Sequence, residues 1–137
     1  MKAVARQFVS FTGVGLIGLA VDAGVFTLLT AAFAWSTAPA RAASVSGMVL
    51  LTWALNRAVT FAQHRSPRRG AEFLRYAVVQ ALGLALNVGV FWLCLRYSAA
   101  LRAVPLVPLV LGAAAGFAFN FSVMRALVFR SAPAPGG

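Results

Sequence analysis

Two acidic residues, one histidine and one cysteine are all that this chain of 137 residues offers to proton-transfer, metal or thiol chemistry. Asp22 and Glu72 do not form an acidic pair, and no Ser/His/Asp set is present; catalysis by this chain alone is therefore not expected. Cys94 is single, so it makes no intrachain disulfide and has no companion for a metal. His64 stands alone in a basic, polar stretch, and no metal site or cofactor is expected. No glycine-rich loop ending in Lys-Ser or Lys-Thr occurs, which excludes ATP binding by that route. Charged residues of either sign make up 10% of the chain, against 61% apolar residues and a mean hydropathy of +0.87. That leaves too few polar side chains to cover a water-soluble domain.

What is present instead is four apolar runs, at residues 8–31, 45–61, 73–95 and 104–129. Each is close to the ~20 residues that cross a hydrocarbon core as a helix. The runs are rich in Leu, Ala and Val without alternation, which favours helices over a closed barrel. The first run is longer than the apolar segment of a signal peptide and contains Asp22, so it is read as a retained membrane helix. The fold class expected is an all-α membrane protein, with one domain over residues 1–130. The Pro- and Gly-containing tail at 131–137 is expected to be disordered.

Twelve basic residues give a net charge of +10, which in a soluble protein would suggest nucleic acid. Their distribution argues against that partner. With the four runs as spans, Lys2, Arg6, Arg57, Arg65, Arg68, Arg69, Arg75, Arg125 and Arg130 fall on one side, and Arg41, Arg96 and Arg102 on the other. The positive-inside rule puts the first side, with both termini, in the cytoplasm. The same basic surface attracts anionic membrane lipids.

The chain also repeats itself. At an offset of 65, Gln7-Phe-Val-Ser-Phe11 lies over Glu72-Phe-Leu-Arg-Tyr76, Gly18 over Gly83, Asp22 over Asn87, Gly24 over Gly89 and Phe26 over Phe91. At an offset of 68, Arg57-Ala-Val-Thr-Phe61 lies over Arg125-Ala-Leu-Val-Phe129. Each copy holds two spans and so enters and leaves on one side. The expectation is four transmembrane helices built as a parallel repeat of two helical hairpins.

Polar residues inside the runs are the candidate site. A central Asp costs about 2.5–3.5 kcal/mol on insertion scales and belongs in a bundle interior or a wet cavity. Gly15, Gly18 and Asp22 share the spacing i, i+3, i+7, and Gln80, Gly83 and Asn87 repeat it. In the other two runs the stripes are Ser44, Met48, Thr52 and Asn56, and Gly112, Gly116 and Asn120. Along its helix Asp22 lies about 15 Å in depth from Arg57, which argues against a simple ion pair between the two. Arg57 and Arg125 lie one turn inside Phe61 and Phe129, where an arginine reaches the interface or offers its planar fork to a phosphate. The three asparagines have a second use as hydrogen-bonding glue between helices.

The segments Arg6-Gln-Phe-Val-Ser-Phe-Thr-Gly-Val-Gly-Leu-Ile-Gly-Leu-Ala-Val-Asp22, Leu55-Asn-Arg-Ala-Val-Thr-Phe61, Phe73-Leu-Arg-Tyr76 and Asn120-Phe-Ser-Val-Met-Arg-Ala-Leu-Val-Phe129 resemble the GtrA-like family over nearly the whole chain. Repeat ends in that family resemble N-x-x-x-N-R-x-x-T/V-F. Here Thr52 replaces the first Asn of copy one and Met124 the second Asn of copy two. The resemblance implies a four-span protein of the bacterial cytoplasmic (inner) membrane that flips a polyprenyl-phosphate-linked sugar for cell-surface polysaccharide or lipopolysaccharide synthesis. It also implies a membrane glycosyltransferase as partner. On this reading Arg57 and Arg125 engage the lipid phosphate, and Asn56 and Asn120 bond the phosphate or first sugar. Asp22 and Asn87 then receive the sugar deeper in the membrane. Four helices leave little room for a sugar, which suggests a homo-oligomer or a complex. Two alternatives stand beside it: a non-transporting subunit that anchors a glycosyltransferase, and a small proton-coupled exporter, against which the charge bias and the repeat count.

Overall fold

The computed structural model describes residues 2–64, 66–103 and 106–129. Arg65 and Arg130 of the basic set, and the tail at 131–137, lie outside the described residues. Among those described there are five α-helices and no strand. The chain divides between Pro67 and Arg68 into two compact units.

The first unit holds α1 (Lys2–Ala31) and α2 (Thr37–Leu55). Proline-free, α1 runs about 45 Å at 1.5 Å per residue. Its end is tied back by Ala32 N–H to Leu28 O at 2.9 Å and Trp35 N–H to Leu29 O at 3.0 Å. Pro39 sits in the first turn of α2, where its missing N–H leaves no bond unmade. Between the helices Ala34 adopts φ 54°, the left-handed region that disfavours a Cβ. Ala34→Gly is therefore expected to stabilise the first hairpin by about 1 kcal/mol, read as a higher midpoint of thermal unfolding in detergent.

The second unit holds α3 (Arg69–Tyr97), α4 (Ala99–Ala103) and α5 (Leu106–Val123). Ser98 separates the first two and accepts the Leu101 N–H on its hydroxyl at 3.2 Å. Pro108 again occupies the first turn of its helix and is fully buried.

Both units close with the same device. Beyond Leu55 the backbone widens into a π turn, Asn56–Thr60, where Phe61 N–H reaches Asn56 O at 2.8 Å. Beyond Val123 a second π turn, Met124–Val128, is closed by Phe129 N–H to Met124 O at 2.9 Å. Such i to i−5 turns are rare and concentrate at functional positions. The wider turn keeps two consecutive residues buried at each end, Thr60 with Phe61 and Val128 with Phe129. Phe61 then meets Phe11 edge-on at 6.4 Å, and Phe129 meets Tyr76 edge-on at 6.3 Å. These are corresponding positions of the repeat.

Both the interior and the outer faces of the helices are largely apolar, unlike a soluble bundle. Buried positions in α1 are Phe11, Val14, Gly18 and Asp22, and in α3 Glu72, Tyr76, Val79 and Gly83. Large apolar residues such as Leu16, Leu19, Leu28, Leu82 and Leu93 point outward, as lipid requires. Helices α1 and α3, and Leu106–Val128 as a unit, are long and apolar enough to cross a membrane. Those three are the candidate spans among the described residues, and α2 falls short of the same measure. α2 begins at Thr37 rather than 45 and carries Arg41, Ser44, Ser46 and Thr52, which lowers its hydropathy, and α4 is an additional short helix. Glu72, at the start of α3, is buried.

Candidate functional site

In the first unit the helices pack through Gly18. A Cβ there would run into Thr52 Cγ2 and touch Met48, so α1 and α2 approach at that level because no side chain intervenes. Gly15, assigned to the same stripe on spacing alone, is exposed with nothing near its Cβ position. Phe11, Val14, Gly18 and Asp22 form the true stripe, because the partner helix meets a face one turn-fraction away from the one the glycines suggest. The stripe on α2 is as its i+4 spacing indicates, with Ser44, Thr52 and Asn56 buried and Met48 half-buried.

This register carries Asp22 to Arg41. Asp22 Oδ2 accepts a bond from Arg41 NH1 at 2.6 Å. Depth along the helices excludes Arg57 as the partner. Arg41 is legible only from the hairpin, since folding α2 back along α1 brings its beginning to the end of α1. The Arg41 guanidinium also lies over the Phe26 ring, 6.0 Å from the centroid. Asp22 Oδ1 is buried and has no hydrogen-bond partner among the described residues.

Asn56 and Arg57 are not brought to Asp22. They stand in the first π turn, Asn56 buried and Arg57 half-buried. Arg57 is sixteen residues beyond Arg41, about 24 Å of helical rise. Beside this turn Ser10 and Thr60 share a hydroxyl bond at 2.9 Å, a pairing that sequence reasoning missed. A cavity of about 120 Å³ opens there, lined by Ala3, Arg6, Gln7, Thr60, Ala62, Gln63 and His64. Its lining carries hydrogen-bond donors and no carboxylate, which suits an anion.

The second unit uses its polar residues differently. Asn120 sits directly on Gly83, whose Cβ would overlap the amide, and its Nδ2 donates to Gln80 Oε1 at 2.8 Å. Gln80 in turn reaches the Tyr76 hydroxyl at 3.4 Å. Asn87 fits a notch made by two glycines. A Cβ on Gly112 would lie 2.5 Å from the Asn87 carbonyl oxygen, and one on Gly116 would lie 2.7 Å from the Gly83 carbonyl oxygen and 3.1 Å from Asn87 Cβ. Asn87 and Asn120 are thus brought to neighbouring levels of one helix–helix seam. Arg125 is exposed on the second π turn.

Among the described residues no group of three His, Cys, Asp or Glu side chains is placed to hold a metal. What the two hairpins offer is non-covalent: carboxylate, amide and guanidinium groups held at defined levels between apolar helices.

No curated protein matches the chain. The profile of the GtrA/DPMS transmembrane domain matches residues 10–129, which takes in both hairpins and both arginine-bearing π turns. That family suggests a membrane protein of sugar-lipid or polysaccharide synthesis, generally non-catalytic. On a match that covers most of its 137 residues, the chain belongs to the GtrA/DPMS transmembrane-domain family.

Proposed function

We propose that the chain translocates a polyprenyl-phosphate-linked sugar across the bacterial cytoplasmic membrane for cell-surface polysaccharide synthesis. It does so as four spans in two parallel hairpins with both termini in the cytoplasm. The observation that carries this reading is the pair of π turns, each bearing an arginine at the same register, Arg57 and Arg125. An arginine fork at the membrane interface suits a lipid phosphate. The donor-lined cavity beside the first turn adds Arg6 and His64 to the same end of the hairpin. Asn56 and Asn120 follow the arginines inward, to bond the phosphate or first sugar. Asp22 and Asn87 receive the sugar deeper, while the prenyl chain stays in lipid.

A second reading has its own support. Asn120 is bonded to Gln80 and Asn87 is packed into the Gly112–Gly116 notch, so both amides already serve helix packing. A subunit that only anchors a glycosyltransferase needs no more than that.

Reconstitution in liposomes with a labelled polyprenyl-phosphate hexose separates the two. Translocation by the wild type is expected, with Arg57→Ala and Arg125→Ala each slowing it at least about tenfold, the loss of a charge-assisted phosphate contact. Asp22→Asn is expected to slow it as well. Movement no faster than in protein-free vesicles, with protein folded and oriented, assigns the chain to the anchoring role.

A further inference from the structure

The repeat supplies an internal control for the ion pair of the first unit. At the offsets of 65 and 68, Asp22 corresponds to Asn87, Phe26 to Phe91 and Arg41 to Leu109. The second unit makes the same kind of hairpin, with the same glycine contact and the same aromatic closure, and without the pair. Hairpin folding therefore does not require a carboxylate and a guanidinium at this level. Their retention in lipid, where each is costly, points to another use.

The geometry is that of a cation held ready. Arg41 spends one nitrogen on Asp22 and rests its face on Phe26, while 56% of its side chain remains accessible. A guanidinium has five donors, so most of the fork is left for another acceptor. The Asp22 side chain, by contrast, is 8% accessible and its Oδ1 has no hydrogen-bond partner among the described residues. The arginine also lies in the first two turns of α2, where the helix dipole disfavours a cation and an anion is welcome.

We propose that Arg41, oriented by Asp22 and Phe26, is a second phosphate-binding residue at the end of the first hairpin opposite Arg57, and that it takes the phosphate of a lipid. The translocation reading supplies only the leaflet, which is the outer one. Asp22 and the phosphate compete for one guanidinium. That competition keeps the site weak, as a release position must be, and it predicts an effect of unusual sign: removing the carboxylate tightens binding.

The test uses the full chain in nanodiscs of neutral phosphatidylcholine, with farnesyl phosphate as the probe and Arg57→Gln/Arg125→Gln as the parent. Adding Asp22→Asn is expected to tighten farnesyl phosphate about tenfold. Asp22→Asn with Arg41→Leu, the residues of the second hairpin, is expected to fold and to lose this binding. Equal or weaker binding after Asp22→Asn, or retained tight binding without Arg41, would overturn the proposal. Phosphatidylglycerol that competes at equal mole fraction names ordinary phospholipid as the source of the phosphate; failure to compete names the prenyl carrier. Both results support a lipid-phosphate site. If wild-type translocation fails while these affinities behave as expected, the translocation reading falls and the site stands. If translocation holds and Asp22→Asn does not tighten binding, the site alone falls.

Discussion

Valine at Gly112 and Gly116 together is expected to abolish the α3–α5 hairpin, at about 3 kcal/mol per site, the upper range for overpacking a tight contact. The reason is the identity of the obstacle. At Gly112 a Cβ meets the Asn87 carbonyl oxygen, and at Gly116 the Gly83 carbonyl oxygen. Both are backbone atoms of a continuous helix and cannot rotate away. At Gly83 the obstacle is the Asn120 amide, a side chain that can move, so Gly83→Ala is expected to cost less and to break the Asn120–Gln80 bond first. Gly15→Ala serves as the control. Nothing lies near its Cβ position, and the change is expected to be neutral or to stabilise by up to about 1 kcal/mol through helix propensity. Unfolding of the purified variants in mixed micelles, followed by circular dichroism, ranks the three. A loss for Gly15→Ala equal to that of the double valine variant would refute the packing given for α3 and α5.

Arg41→Leu is expected to destabilise the first unit by about 3–5 kcal/mol, because it leaves a buried carboxylate without its partner. Among the described residues Asp22 has no other side-chain hydrogen bond to fall back on: its second oxygen is already unmatched. Asp22→Asn alone is expected to cost far less. The arginine it leaves behind is more than half accessible and can extend toward the interface. Combining the two changes should recover most of the loss, since Asn with Leu is what the second unit carries at Asn87 and Leu109. The double-mutant cycle therefore has a definite sign, with the pair costing less than Arg41→Leu by itself. A cycle in which the losses simply add would show that Asp22 and Arg41 do not interact.

Much of this was legible in the residues because it depends on local periodicity. Apolar runs without proline in their interiors make long helices, and α1 and α3 follow from that alone. The offsets of 65 and 68 announce two equivalent hairpins. Corresponding positions make corresponding contacts: Phe11 meets Phe61 in the first hairpin, and Tyr76 meets Phe129 in the second. The i+4 stripes of α2 and α5 mark the packing faces correctly, since polar or small residues recur there and leucines do not.

Other features arise only when two helices meet. Spacing places Gly15 and Gly18 on one face, yet Gly18 alone is pressed against its neighbour, because the contact face is chosen by the partner's Thr52 and Met48. No residue pattern marked the π turns, each of which ends on two successive buried side chains. The sequence by itself determined that this is a helical membrane chain written twice, because hydropathy and repetition are properties of the residues in order. Only the tertiary structure decided that Asp22 belongs to Arg41 rather than to Arg57, because an ion pair depends on the register between helices, and register is set by close packing at a glycine several residues away.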